Sequence, residues 1–201
     1  MAPRLPIAKL LAPALVLLAG AAASPPALAA HAHRRARSAA RACAHTGARP
    51  DARNLAVIRA ATLCLVNRER LLRGERALRV NRRLARAAQA HTESMAFHDY
   101  FEHVGPGDLT PLARLRDVGY ISSSRVGFEV GENIAWGTMW LATPRAIVAA
   151  WMASPPHRAN ILDPRFRETG VGVSPHPPSS LAHGQQGAIY TQDFGVIERG
   201  R

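Results

Sequence analysis

Between Asn54 and Leu72, side chains that suit a core recur at three- and four-residue steps: Leu55, Ile58, Thr62 and Leu65, continuing at Arg68/Glu69. Leu63, Val66, Leu71 and Leu72 widen this face, so the spacing predicts an amphipathic helix, and Gly74 marks its end. Asn81 is a good cap for a second helix running to about Phe97, with Leu84, Ala88, His91 and Met95 on one side of it. On that reading His91 is a core-facing, hydrogen-bonded histidine. After the breakers Gly105, Pro106, Gly107 and Pro111, "LARLRDVGY" reads as a short helix closed by Gly119. Periodicity then weakens from 121 to 142, where "VGFEVGENIAWG" is the most structured part. Thr143 and Pro144 supply the cap and first turn of a helix through about Ala153, which Pro155 and Pro156 should stop. Extended pieces follow at "GVGVS" and "AIYTQDFGV", separated by "PHPPSSLAHGQQG", a turn or loop by composition. Helices first and strands late predict an α+β fold, helices packed on a modest sheet.

The first residues do not fit this domain. Arg4 and Lys9 precede an apolar run from Leu10 to Gly20, and Ala27-Leu28-Ala29 offers small residues for cleavage. Residues 1–29 therefore read as a secretory signal, with an apolar run short of the ~20 residues of a membrane span. Residues 30–53 form a basic leader rich in Ala, Arg and His, in which His31 and His33 are polar filler, and 54–201 are a single domain. Export makes Cys43 and Cys64 a disulfide pair rather than a metal or nucleophile site, with two reduced thiols as the alternative.

The net charge of +12 is local. Residues 31 to 86 hold 15 Arg against 3 acidic residues, whereas 87 to 201 hold 9 Arg against 11. Such a front end would attract an acidic envelope polymer or an anionic lipid surface, or serve only as solvated helix face. Specific nucleic-acid binding is not expected, because aromatic interleaving and zinc-finger spacing are missing.

The residues that can carry chemistry are His103, Glu132 and His157, and less strongly Glu129, Ser154 and Asp193. Two neutral imidazoles suit zinc or copper, and a glutamate in a glycine-flanked turn can orient a ring, ligate a metal or act as a base. An H-E-x-x-H pair and a third histidine in the set are both lacking, so a three-ligand catalytic zinc is not assembled. A Ser154–His157–Asp163 triad is a poor reading, since Ser154 precedes Pro155 outside any G-x-S-x-G elbow. Ser154 is expected as a helix-terminal cap or turn hydroxyl.

Five stretches in order, "LCLVNRERLLRGERALRVNRRLARAAQAHTESMA", "YFEHVGPGD", "GENIAWG", "AWMASPPHRANILDPRFRETGVGV" and "YTQDFG", resemble a bacterial member of the CAP superfamily. This is the cysteine-rich secretory, antigen 5 and pathogenesis-related 1 group, also called SCP domains. The resemblance implies a three-layer α-β-α sandwich with a small, mostly antiparallel central sheet. It implies a cleft displaying His103 and His157 as a metal pair, with Glu132, Asn133 and Ser154 around them. Asn133 would hold the loop of Glu132, Arg158, Asn160 and Asp163 would tether the loop of His157, and Trp136 and Trp151 would be core or cleft wall. Ser154 stands where eukaryotic members carry a further glutamate.

The functional expectation is a secreted protein, possible zinc its sole cofactor, whose cleft binds a small molecule, lipid or envelope polymer without established catalysis. The alternative is a metal-assisted extracellular hydrolase of esters or peptides, with Glu132 as base beside His157.

Overall fold

A computed structural model describes residues 42–123 and 125–198. The expected signal segment and most of the basic leader, with His31 and His33, lie outside them.

The chain opens with the Cys43–Cys64 disulfide, which ties the incoming segment to helix α1, Leu55–Leu72. The buried line of α1 is Ile58, Ala61, Thr62, Val66 and Arg70, so the expected continuation at Arg68/Glu69 is displaced onto a fully buried arginine. Helix α2, Arg82–Phe97, starts where Asn81 accepts hydrogen bonds from the amides of Arg83 and Leu84. It buries Leu84, Ala87, Ala88, His91, Thr92 and Met95, the one-sided stripe its spacing calls for. Helix α3, Pro111–Asp117, is capped by Thr110 and closed at Gly119, whose φ is +73°.

Strands β1 (Arg79–Val80), β2 (Gly127–Thr138), β3 (Glu168–Ser174) and β4 (Gly187–Glu198) form one sheet in the order β1-β3-β4-β2. Only the β1–β3 pair is parallel. The stretch of weak periodicity thus contains a twelve-residue strand, paired along its whole length with β4. Its pattern is blurred because most of its residues are buried or half-buried on both faces.

Helix α4, Pro144–Ala153, ends as expected, but the two prolines do not leave a loop. They start helix α5, Pro155–Leu162, and Ser154 ends one helix and begins the next. Proline lacks only the N–H that a first helical turn leaves unused, so the pair stops α4 and nucleates α5. The composition-based loop after β3 likewise contains one helical turn, α6, Ser179–Ala182.

The layers are those expected of an α-β-α sandwich. On one face, α1, α4 and α5 enclose Ile58, Val66, Ile147, Trp151, Ile161, Val171, Tyr190 and Phe194. On the other, α2 covers β3 and β4, with Leu84, Leu115 and Tyr120 in one cluster and Met95, Ile134 and Ile189 in a second. The glycines of "GVGVS" set that spacing. A Cβ on Gly170 would lie 2.0 Å from the Ala85 amide nitrogen, and one on Gly172 would lie 2.3 Å from the Ala88 carbonyl oxygen.

Candidate functional site

Strand β2 is an outer strand of the sheet, and successive side chains point to opposite faces. Glu132 therefore faces the α2 layer while Asn133, its neighbour, faces α5. Glu132 is on a strand rather than in the glycine-flanked turn expected, and Asn133 is correspondingly not a loop brace. Asn133 Nδ2 donates to the His157 carbonyl at 3.0 Å. Asn160 Nδ2 donates to the Glu132 carbonyl at 3.1 Å and to Asn133 Oδ1 at 2.9 Å. These bonds strap α5 to the strand edge, with Gly131 leaving room: a Cβ there would lie 3.1 Å from Asn160 Oδ1. Asn160 is thus a tether, as expected. Asp163 instead accepts from Arg165, and Arg158 makes one long bond, to the Met152 carbonyl at 3.4 Å.

On the α2 side, Glu132 is buried at the centre of a charged cluster. His103 Nδ1 donates to its Oε1 at 2.8 Å, and Arg114 Nη2 donates to its Oε2 at 2.6 Å. Arg114 also donates to the carbonyls of Leu109, at 2.7 Å, and His103, at 3.0 Å, fixing the segment that carries the histidine. Burial alone would raise the Glu132 carboxyl, but the His103 hydrogen bond and the Arg114 charge hold it below its ordinary value. Asp193 sits opposite Glu132 in the β2–β4 ladder and is driven the other way. Burial and the Glu132 charge raise its carboxyl well above the ordinary value, so it stays protonated and donates to Glu132.

His91 lies behind this cluster, buried, with Nε2–H donating to the Glu102 carbonyl at 3.0 Å and 3.9 Å from Glu132 Oε1. Burial pushes its pKa down to about 4, so the ring is neutral. It is the core-facing histidine that its place on the helix suggested.

His157 approaches from the α5 side. Its Nδ1 lies 2.8 Å from Ser154 Oγ, so the two side chains do face each other. Ser154 occupies the helix-terminal position expected, but its hydroxyl partners the ring and makes no cap hydrogen bond. A hydrolytic triad does not result, because the Asp163 carboxylate is held by Arg165 at 2.6 Å. Burial first, and then the nearby His103, lower the His157 pKa, so this ring too favours its neutral form. Glu129 pairs with Arg165 at 2.5 Å, apart from the cluster. Trp151 is core, its Nε1 donating to the Ile134 carbonyl at 3.1 Å, and Trp136 is a half-buried wall residue.

His103 and His157, 54 residues apart, are thus brought over the β2 edge from opposite layers. In both rings Nδ1 is occupied by a side-chain partner, while neither Nε2 makes a hydrogen bond among the described residues. Two imidazoles, each oriented through Nδ1, fit a borderline-soft divalent ion such as zinc. The fit is limited to two protein ligands, because no group of three or more His, Cys, Asp or Glu placed to hold a metal occurs among the described residues. The expectation of Glu132 as a ligand gives way, since both its oxygens are already engaged.

Arg114 is the participant that sequence reasoning missed. Its only signal was a charge beside Leu112 and Leu115 in a short helix.

The family profile of the cysteine-rich secretory proteins, CAP, matches residues 63–194. The uncharacterised protein YkwD of Bacillus subtilis is 34% identical over 130 residues, covering 65% of this chain and 44% of YkwD. An extracellular protein with an SCP domain from Bacillus anthracis is 26% identical in its crystal structure, with a TM-score of 0.55, covering 75% of this chain and 44% of that one. An outer surface protein of Borrelia burgdorferi shares the fold at 16% identity, with a TM-score of 0.57, covering 77% of this chain and 99% of that one. The chain thus spans under half the length of its two Bacillus relatives. The disulfide and the extracellular Bacillus anthracis relative agree with the export expected from residues 1–29, and the protein is extracellular. With its motifs in order, its α-β-α layers and the profile match across most of the domain, the chain belongs to the CAP family of cysteine-rich secretory proteins.

Proposed function

We propose that this extracellular CAP domain is a binding protein whose cleft, between His103 and His157, holds a divalent metal or a small polar ligand. The observation that carries this reading is that each ring is held by a side-chain partner at Nδ1. Glu132 fixes His103 through Nδ1, Ser154 fixes His157 through Nδ1, and both Nε2 atoms are left for a ligand. Bound zinc would supply a Lewis-acid centre with open positions, to which a small molecule, a lipid head group or an envelope polymer could bind.

The hydrolytic alternative asks Glu132 to accept a proton. A buried carboxylate already paired with Arg114 and His103, and held below its ordinary pKa, is a poor base. Glu132→Gln is no clean test of turnover for the same reason, since it leaves Arg114 buried without its anion.

The test is a calorimetric zinc titration of chelator-stripped protein beside His103→Ala and His157→Ala. One site of micromolar or tighter affinity in the parent, lost in both folded variants, is expected. Binding retained in either variant, or missing in the folded parent, overturns the metal reading.

A further inference from the structure

Helix α2 carries small side chains where it passes α3. Ala87, Ala90 and Ser94 follow one another at three- and four-residue steps and so share a side of the helix. With Leu109 and Val118 they leave a hollow of about 150 Å³. Exposed Ala90, Leu109 and Asp117 stand at its mouth. His91 and Arg114, only 1% and 5% exposed, form its floor. His103, Glu132 and His157 are not among the residues that line it, so it is distinct from the cleft.

Folding leaves this floor one donor and one acceptor short of partners. Arg114 commits Nη1 to the Leu109 carbonyl and Nη2 to the His103 carbonyl and Glu132. Its Nε stays buried without a hydrogen bond among the described residues. His91 donates through Nε2 to the Glu102 carbonyl, so Nδ1 carries a lone pair, and the Tyr100 hydroxyl stands off from it at 3.5 Å. That hydroxyl is nearer Ser94 Oγ, at 2.9 Å. An unmet buried donor or acceptor costs about 1–3 kcal/mol, which a complementary occupant would relieve.

The walls and floor together define the occupant. Cavities of ~150 Å³ take up benzene, so the hollow has room for about six non-hydrogen atoms. Water would meet the polar floor but leave the alanine, leucine and valine walls wet. A carboxylate offers His91 no donor, and the Arg114 charge is already balanced by Glu132 at 2.6 Å. An acetamido group would enter methyl first and set carbon against the polar floor. A carboxamide at the tip of a short apolar stem matches both, its carbonyl accepting from Arg114 and its N–H donating to His91. In polypeptides that group is the glutamine side chain.

We propose that the hollow between α2 and α3 binds a glutamine side chain of a partner polypeptide, its carboxamide held by Arg114 Nε and His91 Nδ1, independently of the His103–His157 cleft.

The experiment is an NMR titration of the full secreted chain with isobutyramide, a carboxamide of matching size, and with the tripeptides Gly-Gln-Gly and Gly-Glu-Gly. We expect shifts centred on the Ala87, Ala90 and Val118 amides, with dissociation constants in the millimolar range that so few atoms can supply. Gly-Glu-Gly should bind about tenfold more weakly than Gly-Gln-Gly, or worse, because it leaves His91 unmet. Ala90→Leu fills the mouth from an exposed helical position that suits leucine, and should weaken isobutyramide and Gly-Gln-Gly by about tenfold or more. Arg114→Lys keeps a cation beside Glu132 but removes the Nε donor, so it should bring the two tripeptides within about twofold of each other. Zinc binding in the cleft should be unchanged in Ala90→Leu. The proposal is overturned by the absence of shifts at the hollow, by equal affinity for Gly-Glu-Gly, by full affinity in folded Ala90→Leu, or by N-acetylglucosamine occupying the hollow in preference to Gly-Gln-Gly.

Discussion

Among the described residues two arginines are buried, Arg70 and Arg114, and they do different work. Arg70, on α1, is held entirely by main-chain carbonyls: Nε donates to Arg76, Nη1 to Ile161 and Asp163, and Nη2 to Phe166. It clamps the end of α5 and the loop beyond to α1, and no carboxylate is among these hydrogen-bond partners. Arg114 meets two carbonyls and the Glu132 carboxylate, while its Nε is buried without a hydrogen bond among the described residues. One buried guanidinium serves as a neutral-acceptor clamp, and the other neutralises an acidic site. A buried cation can be satisfied geometrically or electrostatically, and the second kind is bonded directly to a group that titrates.

The most severe way to break the comparison is Arg114→Met. Removing one partner of a buried ion pair strands the other, so a loss of about 3–5 kcal/mol is expected in urea unfolding at pH 7. In the wild type, the depressed Glu132 carboxyl contributes stability above its unfolded pKa, and this is lost as pH falls through the lower folded value. Without Arg114 part of that contribution is lost, leaving the share from His103, so the destabilisation should shrink on acidification. Arg70→Met should cost about 2–4 kcal/mol through unsatisfied carbonyls, with a penalty that hardly changes with pH.

His91 sharpens the electrostatic side. Its pKa falls from 6.5 unfolded to about 4 folded, so the unfolded chain takes up a proton first. Stability should decline as pH drops from about 6.5 towards 4, by about 3 kcal/mol in all. His91→Gln should flatten that part of the stability profile in unfolding curves collected across the range.

Asp193→Asn is the mildest change. The amide keeps a donor toward Glu132 in place of the protonated carboxyl. Because the folded pKa of Asp193 is raised, its contribution is present below its unfolded value and lost as pH rises through the folded one. The variant should lie within about 1 kcal/mol of wild type at pH 5. Its relative stability should improve towards pH 9, as read from paired denaturation curves. A fall instead would show that Asp193 is ionised in the folded protein.

Much of the site was legible because its residues stand in ordered motifs. His103, Glu132 and His157 were named before any geometry, and His91 was assigned to the core from its place on the α2 stripe. Arg114 and Arg70 were not legible. An arginine inside an apolar stripe looks like a break in the stripe until its distant acceptors are known, and those of Arg70 lie up to 96 residues away. Ser154 stands at a helix terminus as expected, but its bond to His157 was not legible, because two prolines read as an interruption when they also open a helix.

The sequence by itself determined the helical stripes, the caps at Asn81, Thr110 and Thr143, and the glycines that admit α2 to the sheet. These depend on backbone stereochemistry and on hydrogen bonds a few residues apart. Tertiary structure alone decided that Glu132 and Asn133, adjacent in the chain, serve opposite layers. It also decided that Glu132 and Asp193 are buried opposite each other, with carboxyls shifted in opposite directions, and that His103 and His157 come within electrostatic reach of one another. Burial and charge proximity are properties of contacts distant in sequence, and folding brings those contacts into being.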